Sequence, residues 1–273
     1  MGIAADTASA TAAKIGAEIA ADWHAALAAL AWQVEAGVDE VIGDVPVDRY
    51  AMAAGLPPGR QAPAAVAVAL AGGADPLAAA EAAADAAATL ADLRAALAAF
   101  DRCELKLGAR STVFADGHPG ARVLVLGEVP GAEEDREGRP FVGRTGQLAD
   151  RMFAAIGLSR ASLDAATALY LVPVLPWPTP GNRDPEPGEI ALLRPFVARH
   201  IALADPQVIV AMGNTPLAML TGRRGILRAR GSWTEALGRP LLAMLHPADL
   251  LRNPAAKRDA WADLLALQAR LAP

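Results

Sequence analysis

An apolar run, Arg122-Val123-Leu124-Val125-Leu126, leads straight into a Gly/Pro-rich turn that opens Gly127-Glu128-Val129-Pro130-Gly131. The turn continues through Gly138-Arg139-Pro140-Phe141-Val142-Gly143, and from Thr145 onward the pattern is helical. A strand that ends in such a turn and restarts as a helix belongs to an open α/β sheet. Ligands bind there at the carboxyl ends of the strands. Glycines at 127 and 131 let backbone N–H groups face a ligand, and Phe141 offers a flat ring for stacking on a base.

The same alternation recurs downstream. Segments Arg122–Glu128, Ala168–Leu175, Val208–Gly213 and Pro240–His246 read as strands. Helical periodicity covers Thr145–Ile156, Pro187–Ala204, Pro216–Leu220 and Pro254–Leu271. Alternating strands and helices imply right-handed βαβ units, hence a three-layer α/β/α domain around four parallel strands. Residues 1–97 differ: they are Ala-rich, with a helical pattern over 8–36, Gly and Pro throughout 37–63, and helix expected from Pro76 to Ala99. They read as an N-terminal helical, low-complexity extension on a domain spanning 98–273.

Composition sets limits. Charged residues interrupt every long apolar stretch, so no membrane span is expected, and no basic-then-apolar leader marks a secretory signal. The single cysteine, Cys103, fits a reducing cytoplasm and cannot by itself ligate a zinc or iron–sulfur centre. The net charge of −5 divides unevenly: residues 1–100 carry 4 basic against 12 acidic side chains, and residues 101–273 carry 21 against 18. Arginine, whose planar fork suits phosphate, dominates the second part, although high-GC codon usage produces the same bias.

The segment 127–143 resembles the uracil-DNA glycosylase superfamily, specifically its family 4-like members. The likeness continues through Gly181-Asn182-Arg183 with Glu189, Pro206 to Gly213, Arg230-Gly231-Ser232-Trp233 and His246-Pro247-Ala248-Asp249-Leu250-Leu251-Arg252. It covers about residues 98 to 272 in the family's order. The resemblance implies base-excision repair of DNA by a monofunctional hydrolase, acting as a monomer on a flipped-out nucleotide. His246 would stabilise the departing base, Glu128 would position water or balance sugar charge, and Asn182 would lie near the reacting centre. Phe141, Gly127 and Gly131 would hold the base. Leu250 and Leu251 would wedge into the stack, and Arg252, Arg183 and Arg230 would contact DNA.

Three departures stand out. Family members read the uracil edge with an Asn where this chain has Pro173, which offers neither a polar side chain nor an N–H. An aromatic is replaced by Asp249, and an acid beside DNA is unfavourable. The four cysteines that hold an iron–sulfur cluster in typical members are here Phe100, Cys103, Trp177 and Leu193, so no cluster and no other cofactor or metal is expected. Two alternatives remain open at this level. One is a non-catalytic or altered-specificity DNA-binding paralogue; the other is a nucleotide- or phosphate-binding α/β protein, opposed by the missing Gly-x-x-x-x-Gly-Lys run.

Overall fold

The computed structural model describes residues 75–272 together with Asp22 and Leu27. Apart from Asp22 and Leu27, the helix expected over 8–36, the 37–63 loop and the segment 32–40 therefore lie outside the described residues. The compact unit that carries the fold runs from Ala71 to Pro273.

In chain order the unit opens with α1 (Pro76–Asp85) and α2 (Leu90–Ala99), then β1 (Asp116–Gly117) and β2 (Val123–Gly127). A short α3 (Ala132–Glu137), α4 (Gly143–Ala154), β3 (Leu169–Pro173) and α5 (Pro187–Ala204) follow. Next come β4 (Val208–Met212), α6 (Asn214–Thr221), α7 (Ile226–Ala229), β5 (Trp233–Ala236) and β6 (Arg239–Met244). The chain closes with α8 (Pro247–Arg252) and α9 (Lys257–Leu271).

The strands form one sheet in the order β1-β3-β2-β4-β6-β5. The four expected strands are its parallel centre, and β1 and β5 add antiparallel edges that the sequence did not announce. Every residue of β2, β3 and β4 is buried. That is why they read as continuous apolar runs: helices cover both faces of a parallel sheet. Leu124, Leu126, Tyr170 and Ile209 pack with α2, α5 and α6 on one face. Val123, Val125, Leu171 and Met212 pack with α4 and α9 on the other.

The stretch 76–99 is not one helix but two. Thr89 starts α2 with a reciprocal cap: its hydroxyl accepts from Asp92 N at 3.1 Å, and the Asp92 carboxylate accepts from Thr89 N at 2.9 Å. Arg199 of α5 donates to Ala87 O at 2.9 and 2.7 Å, satisfying a carbonyl stranded after α1. Ala80, Ala84, Leu93 and Leu97 are buried in the main core. The two helices thus belong to the compact unit, and the expected boundary at 97 falls inside it. Their small alanine faces allow close packing that a count of large apolar residues does not reveal.

Candidate active site

At the carboxyl ends of the central strands lies a cleft of about 440 Å³, whose walls include Glu128, Gly131, Asn182, Asn214, Thr215 and His246. Arg183, Asp249 and Arg252 complete its charged rim.

His246 follows β6 and caps α8. Its Nδ1 accepts from Ala248 N at 3.3 Å, so the ring proton sits on Nε2. Burial pulls its pKa down to about 4, with Asp249 pulling upward and Arg252 further down. At neutral pH the side chain is therefore a neutral imidazole with a fixed donor. Pro247 at the first helical position and buried Leu250 hold the cap in place.

Phe141 lies 5.6 Å from His246, centroid to centroid, with the rings tilted at 41°. Gly127 makes room for it: a Cβ there would stand 2.5 Å from Phe141 Cζ. The Phe141 backbone, at φ 53°, is held from both sides. Its N–H donates to Glu134 Oε1 at 2.5 Å, and its carbonyl accepts from Arg160 at 3.0 Å. Glu134 also accepts from Gly131 N at 2.7 Å, and burial raises its pKa. The ring is only 3% exposed and stands behind the cleft wall. It is a covered platform beside His246, not the open stacking face expected.

Glu128 reaches across to α6, where its Oε1 accepts from Thr215 N at 3.2 Å. Its side chain occupies the space over Gly213, where a Cβ would come within 2.1 Å of Oε1 and where φ is 115°. Burial raises the Glu128 pKa, which the Thr215 hydrogen bonds oppose. Asn182 has φ 54°, so it is both a left-handed turn residue and a cleft wall. Asn214 and Thr215 were missed as cleft residues. The Gly213-Asn214-Thr215-Pro216 turn after β4 repeats the strand–glycine–helix signal that marked 127–131.

A protein-family comparison matches residues 114–265 to the "Uracil DNA glycosylase superfamily". The chain belongs to that superfamily. It is 36% identical over 154 residues to a "Type-4 uracil-DNA glycosylase" of Thermotoga maritima, covering 55% of this chain and 77% of the relative. A protein of the same name from Sulfurisphaera tokodaii is 32% identical over 163 residues, 56% and 71% of the two chains. One from Pyrobaculum aerophilum is 28% identical over 179 residues, 60% and 85%.

Against this uracil DNA glycosylase framework, several expected DNA contacts fall elsewhere. Leu250 is 0% exposed and anchors α8 in the core, so it cannot serve as a wedge; Leu251 is half-buried beside it. Arg230 does not line the cleft. Its Nε donates to Asp263 Oδ2 at 3.0 Å, and its Nη2 donates to Asp263 Oδ1 and to Asp259 O. Asp263 is 1% exposed, and a carboxylate so placed needs a cation. Arg183 lines the cleft, but its fork holds Glu189 at 2.9 and 2.6 Å, and Glu189 also caps α5. Arg252 is paired with Asp249.

Pro173 ends β3 opposite Gly127. It does not line the cleft; it helps wall a small apolar cavity of about 20 Å³ with Leu97 and Phe196. The donor set for an iron–sulfur cluster does not fit. Phe100 packs edge-on against Phe196 at 5.3 Å, and Trp177 is buried with Nε1 donating to Thr112 Oγ1 at 3.2 Å. Leu193 is buried in the same core, and the Cys103 thiol has its pKa raised by burial. Three of the four positions offer no ligand atom. Among the described residues no group of three or more His, Cys, Asp or Glu could hold a metal ion, and no helix is long and apolar enough to cross a membrane.

Proposed function

We propose that this protein is a DNA-repair glycosylase that hydrolyses the N-glycosidic bond of uracil, or of another deaminated base, in DNA. The observation that carries the reading is the neutral imidazole of His246, its proton fixed on Nε2 in a cleft shared with Glu128 and Asn182. As the bond from C1′ to the base breaks, the electron pair leaves with the base. A preorganised N–H aimed at that developing charge stabilises it without proton transfer. Water then attacks C1′ of the oxocarbenium-like sugar, its oxygen joining C1′ and its proton passing to the Glu128 carboxylate or to solvent. The base anion takes a proton from solvent.

The same reading has the protein act as a monomer on a flipped nucleotide in the cytoplasm, without a cluster. Packed Phe100, Trp177 and Leu193 support the last point, and iron analysis after chelation tests it: stoichiometric iron would refute it. Base selectivity is weak in this reading, because position 173 offers no polar edge. The central experiment is cleavage of single- and double-stranded oligonucleotides containing uracil. The unmodified protein should generate abasic sites, and His246→Ala should do so about 10²–10³-fold more slowly. Equal rates for the two proteins would overturn the reading.

A further inference from the structure

Within six residues the turn that joins α6 to α7, together with α7 itself, carries Arg223, Arg224 and Arg228. Arg224 has one long contact, 3.8 Å to Asp184. Among the described residues, the side chains of Arg223 and Arg228 have neither an ion pair nor a hydrogen bond. The three arginines line a depression of about 390 Å³ together with Thr221 and Ser232. Between them Leu227 is 78% exposed, a large apolar side chain presented to solvent amid positive charge.

This turn is fastened to the cleft. Asn214 lines the cleft, and its Oδ1 accepts from Gly225 N at 3.1 Å and Ile226 N at 2.9 Å. Gly225, at φ 103°, supplies the backbone bend that brings both N–H groups to one acceptor. Asp184, the partner of Arg224, is a cleft residue too. The basic turn is thus held beside the mouth of the cleft through one carboxamide and one ion pair.

We propose that the 222–228 turn is a second DNA-contacting surface. In this assignment Arg223 and Arg228 grip backbone phosphates of the strand that enters the cleft, and Leu227 lies against its sugars and bases. The assignment deepens the glycosylase reading and rests on it. Unpaired arginines release counterions when they meet phosphate, which makes binding steeply salt-dependent. An apolar side chain among them gains contact with the stack that a protein carboxylate surface would not offer. The arginines expected to contact DNA are already paired, whereas Arg223 and Arg228 are not.

The test is fluorescence anisotropy with an undamaged labelled duplex over a salt series, run beside the uracil-cleavage assay. Arg223→Ala/Arg228→Ala should reduce the slope of log affinity against log salt by about 1.8, the value for two lost phosphate contacts. Arg223→Lys/Arg228→Lys should keep the parental slope. Arg151→Ala/Arg258→Ala, an equal loss of charge at exposed sites on α4 and α9, should also keep it. Thermal midpoints will show that the variants are folded. A parental slope in the Ala double variant overturns the assignment, even if the parent excises uracil. A reduced slope with no uracil excision by the parent would keep the DNA-contacting turn and remove the glycosylase reading.

Discussion

The state of His246 makes a quantitative claim about acid. Its pKa is about 4 in the folded protein against 6.5 in an unfolded chain. Between those values the unfolded chain binds a proton that the native state refuses, so stability rises with pH there. The contribution is complete above pH 6.5 and lost as the pH falls toward 4. Going from pH 7 to pH 5 should remove about 2 kcal/mol of stability through this one group. The assay is urea unfolding at both pH values for the parent and for His246→Asn. Asn can still accept from Ala248 N as a helix cap, so the variant removes the titration and keeps the local hydrogen bond. Contributions from other groups, including buried His200, are common to both proteins and cancel in the comparison. The parent should lose about 2 kcal/mol more than the variant. Excision by the parent should show no inflection near pH 6.5, because the imidazole is neutral on both sides of it. Equal losses in the two proteins, or an imidazole that titrates near 6.5 by NMR, would refute the argument.

Other consequences follow from named contacts. Arg230→Ala strands the buried Asp263 carboxylate and should cost about 3 kcal/mol in urea unfolding while DNA affinity stays at the parental value. Leu250→Ala should cost about 2–5 kcal/mol by opening a cavity under α8. Leu251→Ala should slow excision with a stability loss below about 1 kcal/mol; the opposite ranking would place the wedge at 250. Pro173→Asn restores a carboxamide at the end of β3 opposite Gly127, so preference for uracil over thymine or hypoxanthine should rise about 5- to 150-fold. Unchanged selectivity in matched oligonucleotides would show that another residue reads the base.

The sequence foretold the elements that are long or wholly buried. β2, β3 and β4 are apolar on both faces, so their runs stand out, and α5 extends over 18 residues with matching bounds. It was silent on β1 and β5, a two-residue strand and a four-residue strand at the edges, where one side meets solvent and the pattern is polar. The six-residue helices α3 and α8 fell inside motifs read as loops, although Pro247 at a first helical position was visible. For the site, Glu128, Gly131, Asn182, His246 and Arg252 do meet in one cleft. What sequence could not show is which side chains are already engaged: Asp263 lies 33 residues from Arg230 in the chain and beside it in space.

That limit bears on how arginines are chosen as DNA contacts. The planar fork that suits phosphate suits a carboxylate equally well, so residue type alone does not separate the two uses. In this protein the three arginines expected to contact DNA, Arg183, Arg230 and Arg252, are spent on Glu189, Asp263 and Asp249. Each of those pairs sets local structure: Glu189 caps α5, Asp263 ties α9 to the chain before β5, and Asp249 adjoins His246. Neutral pairs repel a phosphate less than a bare carboxylate would, so Asp249, paired with Arg252, and Asp184, beside Arg224, oppose a polyanion less than unpaired acids. Attraction must then come from unpaired cations near the cleft but outside its motifs. Arg223 and Arg228 meet that condition, and Asn214 fixes their turn to the cleft wall. On this division of labour the motif residues shape the reacting centre, and a turn with no motif of its own supplies the grip on the strand.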